Sequence, residues 1–183
     1  MIDRIFHTLA RRWLLFLNLG VALYVGLPML APVLMHAGAT GPATLLYRVY
    51  SPMCHQLASR SFFLFGEQVA YPRAIAGSSL TPIETFMPDL PEFADASTDP
   101  ARWATFLWPA RRFVGNEQMG YKMALCQRDI SIYSSMLIGG LVYGLLRRRG
   151  PVRPMRFWLF LLIGVAPIAF DGFSQLFSQF FVG

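Results

Sequence analysis

The stretch WLLFLNLGVALYVGLPMLAPVLM, Trp13 to Met35, runs for 23 residues without a charge. At 1.5 Å per residue, a helix of that length crosses the roughly 30 Å of bilayer hydrocarbon. It predicts a first transmembrane span, with Pro28 and Pro32 loosening its far end. A cleaved signal peptide is the rival interpretation, because Ala37-Gly38-Ala39 offers the small residues of a cleavage site. Signal cores hold only about 7–15 apolar residues, so the span is preferred.

Two further apolar runs lie downstream. Ile130 to Leu146 ends in Arg147-Arg148-Arg149, and its Gly140 and Gly144 have the four-residue spacing that lets helices approach closely. Phe157 to Val182 is interrupted by Pro167, Asp171 and Gln175. Of the 183 residues, 55% are hydrophobic and only 14% charged, whereas soluble domains carry about 25% charged residues. The length fits a single membrane domain over residues 1–183.

The net charge of +6 is unevenly placed. Arg4, Arg11, Arg12 and the arginines from 147 to 156 flank apolar runs, whereas residues 67–122 are net acidic. This is the positive-inside pattern, not the continuous basic face of a nucleic-acid binder. The bilayer is therefore the expected partner and nucleic acid is not. The basic flanks predict a cell-membrane protein with a cytoplasmic N-terminus and an extracytoplasmic C-terminus. Residues 36–125 then begin and end outside. The apolar segment Thr44 to Phe65 carries Arg48, His55 and Arg60, and a single crossing there breaks the parity. A helix over 44–65 that dips into the outer leaflet or lies along it resolves this. Pairing it with Trp103 to Val114 as another crossing is the alternative. Residues 66–122 form a long extracytoplasmic loop, irregular over Thr81 to Pro100. A short interfacial helix is expected to start at Asp99-Pro100, with Asp99 as its cap.

Three polar clusters interrupt this oily chain: Cys54-His55-Gln56 with Arg60, Cys126-Gln127-Arg128-Asp129 with Tyr133, and Asp171 with Gln175. Charged groups at membrane depth are costly and tend to mark function. Helical spacing puts Gln56 with Arg60, Cys126 with Asp129 and Tyr133, and Asp171 with Gln175 on shared faces. The topology brings all three to the outer leaflet, where Arg60 and Arg128 balance Asp129 and Asp171. A buried ion-pair network pinning the helices explains the same residues without any reaction. The chemistry has three candidates. Cys54 and Cys126 form a disulfide, worth about 2–4 kcal/mol. Alternatively Cys54, His55, Cys126 and Asp129 ligate Zn or Cu. Or a Cys pair beside Arg and His exchanges electrons, or a Tyr, His and Arg site in the outer leaflet holds a quinone or a lipid headgroup.

At these same residues the chain resembles the "domain of unknown function 2085" family of predicted integral membrane proteins. The shared pattern is Cys54-His55-Gln56, then Arg60-Ser61-Phe62-Phe63 and Gly66, then Cys126, Arg128 and Tyr133, then Asp171-Gly172 and Gln175. Many relatives have a second Cys where Asp129 stands, and many continue with a further apolar helix. The resemblance implies a membrane site without naming its reaction.

The fold expected is an all-α membrane protein: three spans, over 13–35, 130–146 and 157–182, an outer-leaflet helix and a long outside loop. The function expected is an accessory subunit or binding module of a larger membrane assembly, with other membrane subunits as partners. The alternative is a membrane oxidoreductase or a metal- or quinone-binding protein using Cys54, His55 and Cys126.

Overall fold

The computed structural model describes residues 2–99 and 102–181. The chain divides into two compact units, Met1–Val142 and Tyr143–Gly183. Among the described residues, three helices are long and apolar enough to cross a membrane: His7–His36, Gln127–Arg149 and Phe157–Ser174.

In the first unit, helix α1 (Ile2–His36) departs from helical geometry at Arg12, so its uncharged part starts at Trp13, as the sequence predicts. Helix α2 (Thr40–Tyr50) follows after a short turn. The helix expected over 44–65 is therefore only half present. Pro52 has no N–H to offer the Arg48 carbonyl, so the helix stops there. A 3-10 turn at Ala58–Arg60 leads instead into strand β1 (Ser61–Leu64). Its Ser61 and Phe63 are buried and its Phe62 and Leu64 half-buried, the period-2 alternation of a strand.

The all-α expectation is thus corrected by a three-stranded antiparallel sheet in the order β1-β3-β2. Strand β2 is Gly115–Asn116 and β3 is Gly120–Cys126. Ser61 pairs with Cys126 and Phe63 with Lys122, so the sheet joins two of the polar clusters directly. Sequence periodicity missed it because β3 is buried at almost every position and shows no alternation.

Residues 66–122 are also more ordered than a loop. Helix α3 (Trp103–Arg112) forms, starting at Trp103 with Arg102 at its N-cap, not at Asp99; Pro100 lies outside the described residues. Four 3-10 turns, Ala74–Ala76, Ile83–Thr85, Met87–Asp89 and Pro91–Phe93, precede it within this segment. Tyr71, Ile83, Met87, Phe93, Phe106 and Phe113 from these pieces bury themselves with Phe63 and Met119 of the sheet region. Tyr71 tucks its hydroxyl onto the Met119 carbonyl at 3.1 Å, satisfying the polar end of a buried ring.

Gly66 and Gly120 cross backbone to backbone. A Cβ on Gly66 would collide with the Met119 carbonyl and the Gly120 amide, and one on Gly120 with the Leu64 carbonyl. Gly66→Ala therefore forces β1 away from β3, and we expect a loss of about 3 kcal/mol. Gly41→Ala, whose Cβ meets nothing within 4 Å, is the neutral control in the same thermal unfolding measurement in detergent.

Strand β3 runs into helix α4 (Gln127–Arg149) with no intervening residue. Tyr24 of α1 meets Tyr133 of α4 with ring centroids 4.6 Å apart, and Asn18 lies against Gly140. The pair is therefore antiparallel. A Cβ on Gly140 would strike the end of the Asn18 side chain. Asn18 can swing aside for one methyl, so we expect Gly140→Ala to cost under about 1 kcal/mol and Gly140→Leu about 1–3 kcal/mol. Equal unfolding midpoints for the two variants would contradict this contact.

In the second unit, α5 (Phe157–Phe160) widens into a π turn at Leu161–Val165 and continues as α6 (Ala166–Phe181). The widening directly precedes Pro167, which can make no backbone donation and crowds the preceding turn. Trp158, Ile163 and Phe170 are exposed, as suits a helix whose solvent is lipid.

Candidate functional site

Two of the three polar clusters meet in the first unit. Cys54 follows the end of α2 in a turn, its amide donating to the Tyr50 carbonyl at 3.1 Å. Cys126 is the last residue of β3, and Asp129 lies in the first turn of α4. A carboxylate is favoured there by the unpaired amides and positive dipole end of the helix. The two sulfurs and an Asp129 oxygen all lie within 4.8 Å of one another.

Backbone amides define the environment of Cys54. Its Sγ accepts from the Gln56 amide at 3.5 Å and from the Cys126 amide at 3.3 Å. Gln56 reaches this position only by adopting φ +51°, the left-handed region that side chains avoid. Its Nε2 offsets the strain by donating to Tyr47 O at 2.9 Å and Ala124 O at 3.0 Å. In the Cys-His-Gln segment, Gln56 is thus the clamp that ties α2 to β3 and aims an amide at sulfur.

Both cysteines are free thiols, which corrects the expected disulfide. The Cys126 thiol turns toward Asp129 instead, donating to Oδ2 at 3.1 Å. Its single proton has Cys54 as a second acceptor. Hydrogen bonding from Cys126, helped by the two amides and opposed by burial, pulls Cys54 down to about 7. Cys126 is pushed up, because it keeps the shared proton for Cys54 and is itself partly buried. Asymmetry of this kind makes Cys54 the thiolate of the pair.

The other expected members sit differently. His55 points its side chain outward and is exposed, although its neighbours on both sides are buried. Arg60 is not on a helical face with Gln56; it ends a 3-10 turn, is exposed, and lies over the Trp103 ring at 5.6 Å. Arg128 is exposed on α4, so the expected burial of both arginines does not hold. Tyr133 does reach the cluster through Tyr24, whose ring also approaches Tyr50 with centroids 5.6 Å apart. Asp171 and Gln175 lie on α6 in the second unit. Asp171 is exposed there, with Ser174 donating to its carbonyl at 2.9 Å, and the Gln175 side chain lies outside the described residues.

One functional neighbour was missed by the sequence reading. Lys122 is fully buried beside the site and donates from Nζ to Gln56 O at 2.6 Å, Arg111 O at 2.8 Å and Ala110 O at 3.3 Å. Ala110 and Arg111 belong to the last turn of α3, whose carbonyls have no partner inside the helix. A lysine at the end of a polar loop carries no sequence signal for this.

An uncharacterized protein of Methanocaldococcus jannaschii is 25% identical over 152 residues, 80% of this chain. The chain spans 62% of that relative's length. No solved structure matches. The resemblance read from the motifs is borne out: residues 111–181, from the end of α3 through β3, Cys126, α4 and α6, match the family described as "predicted membrane protein (DUF2085)".

Proposed function

We propose that this protein is a membrane-anchored binding module that takes a small guest at the Cys54–Cys126–Asp129 cluster on the outer face of the bilayer. The observation that carries the proposal is that three donor atoms from two segments distant in sequence, the turn after α2 and the β3–α4 junction, converge within 4.8 Å while Cys54 is only 7% exposed. Cys126 and Asp129 are partly exposed, which leaves the cluster open to an ion or a small molecule. The basic flanks support the orientation, with Arg11, Arg12 and Arg147 to Arg149 cytoplasmic and the sheet, α2 and α3 outside. The antiparallel packing of α1 against α4 agrees with that parity. In this arrangement α2 lies along the outer leaflet. Other membrane subunits cover part of the exposed apolar surface. A protein that purifies only as a stable lone protomer in mild detergent would argue against such subunits.

A dithiol oxidoreductase is the second reading, favoured by the two free, unequal thiols. Cys54 thiolate would attack a partner protein's disulfide, expelling one thiolate. Cys126, passing its proton to Asp129, would then attack Cys54 Sγ and release the second thiol. The pair is oxidised as the partner is reduced.

Access separates the two. In intact cells, a small charged thiol reagent applied from outside is expected to modify the Cys54–Cys126 pair, while a polymer-linked maleimide or a protein disulfide is not. Equal rates for small and bulky reagents would favour the oxidoreductase. Labelling only after the membrane is opened would refute the outside placement.

A further inference from the structure

We infer that the guest is a thiophilic divalent cation of the Zn²⁺ class, ligated by Cys54 Sγ, Cys126 Sγ and an Asp129 carboxylate oxygen. This rests on the binding-module reading and adds the chemical class of the ligand.

The donor set comes first. Two thiols and one carboxylate suit Zn²⁺, whereas Mg²⁺ and Ca²⁺ demand oxygen ligands. Fully deprotonated, the three donors carry three negative charges, which a divalent ion neutralises better than Cu⁺. Geometry is the second argument. Zn–S bonds of about 2.3 Å place tetrahedral ligands about 3.5–3.8 Å apart. Cys126 Sγ and Asp129 Oδ2 are already 3.1 Å apart, and all three donors lie within 4.8 Å. Closing onto an ion therefore asks for side-chain adjustments of about 1 Å, not for backbone movement.

The surroundings supply the third argument. Two backbone amides already point at Cys54 Sγ. Hydrogen bonds of this sort orient and stabilise a ligating sulfur, and Gln56 is held in a strained conformation that provides one of them. The rings of Tyr24, Tyr50 and Tyr133 line up beside the cluster, with Tyr24 between the other two. They give it an apolar flank that strengthens binding to charge. Three protein ligands leave one coordination position for water or a further guest, as in zinc sites that act on ligands rather than only holding a fold. His55 is excluded from the set because its side chain faces solvent.

The test uses the full chain, purified in detergent and reduced with a phosphine, titrated with Co²⁺ as a spectroscopic stand-in and then with Zn²⁺. We expect one equivalent of Co²⁺ to give thiolate-to-cobalt charge-transfer absorption and four-coordinate ligand-field bands, both erased by Zn²⁺. Cys54→Ser and Cys126→Ser should each weaken Zn²⁺ binding at least about 100-fold, and Asp129→Asn about 10–100-fold while keeping charge transfer. His55→Ala should leave the cobalt spectrum unchanged. Because a Cys variant can fail to fold, a second measurement uses the unaltered chain: Zn²⁺ should slow alkylation of both thiols at least about tenfold, and Mg²⁺ should not. A six-coordinate aqueous cobalt spectrum, or alkylation indifferent to Zn²⁺, overturns the assignment. If small reagents still reach the thiol pair in that case, the binding module stands and only the cation class falls. If no small reagent reaches either thiol, the module reading itself fails.

Discussion

Lys122→Met should lower stability by about 3–5 kcal/mol, more than any surface substitution in the protein. The Lys122 ammonium has three N–H groups and gives them to three carbonyls, at 2.6, 2.8 and 3.3 Å. Two of those carbonyls close the C-terminal turn of α3, where a positive charge also meets the negative end of the helix dipole. The third belongs to Gln56, the clamp of the thiol site. Methionine fills the same volume and leaves all three oxygens buried without a donor. The Gln56 amide that faces Cys54 should loosen as well, so the variant should also alkylate faster at Cys54.

The same residue sets a pH dependence. Burial pulls Lys122 down from its ordinary 10.5 to about 7, with the like charge of Arg111 adding and the negative charge of Cys54 opposing. Below about pH 7 both folded and unfolded chains hold the proton, and the cost of burying the charge is fully present. Between about pH 7 and 10 the unfolded chain binds more protons than the folded one, so stability rises with pH. The gap in unfolding temperature between the unaltered protein and Lys122→Met should therefore widen from pH 6 to pH 9. A gap that narrows over this range would contradict the assignment.

Glu84→Ala should cost about 3–5 kcal/mol by removing the carboxylate that is paired with a buried cation. Arg73 and Glu84 form an ion pair with Nε and Oε1 2.5 Å apart and side chains only 7% and 9% exposed. The second carboxylate oxygen accepts the Ala74 amide at 3.0 Å. Arg73 is also stacked over Phe106 at 4.0 Å, so it is packed in place and cannot swing to solvent. The pair closes the aromatic core of residues 66–122 from the side. Replacing both partners, Arg73→Met with Glu84→Leu, should cost far less than Glu84→Ala alone, because apolar groups need no counter-charge. A double variant at least as unstable as the single one would show that packing, and not charge, dominates there.

The spans were legible because lipid leaves its mark on composition. Trp13 to Met35 needs no neighbour to declare itself, since every lipid-facing position must be apolar. Arg147 to Arg149 mark their end of α4 for the same reason. Phe63, Phe93, Phe106 and Phe113 gave no comparable signal. They come from scattered turns and short elements, and their shared core exists only after residues distant in sequence are brought together. The strand Gly120–Cys126 was hidden because it is covered on both sides.

The candidate site divides along the same line. Cys54, Gln56, Cys126 and Asp129 stood out as polar residues in apolar surroundings, and the convergence of two clusters followed from parity. Helical spacing wrongly extended that logic to Arg60. It also gave Gln56 a helical face, when its real role depends on a left-handed backbone and two distant carbonyls.

By itself, then, the sequence determined that this is a membrane protein, which runs are long and apolar enough to cross the bilayer, and which polar residues interrupt them. The tertiary structure alone decided that β1 and β3 pair, that the Cys126 thiol turns to Asp129 rather than bonding to Cys54, and that Lys122 is buried while His55 is exposed. The physical reason is that bilayer burial acts on each segment locally, whereas strand register, hydrogen-bond choice and exposure are settled by neighbours far away along the chain.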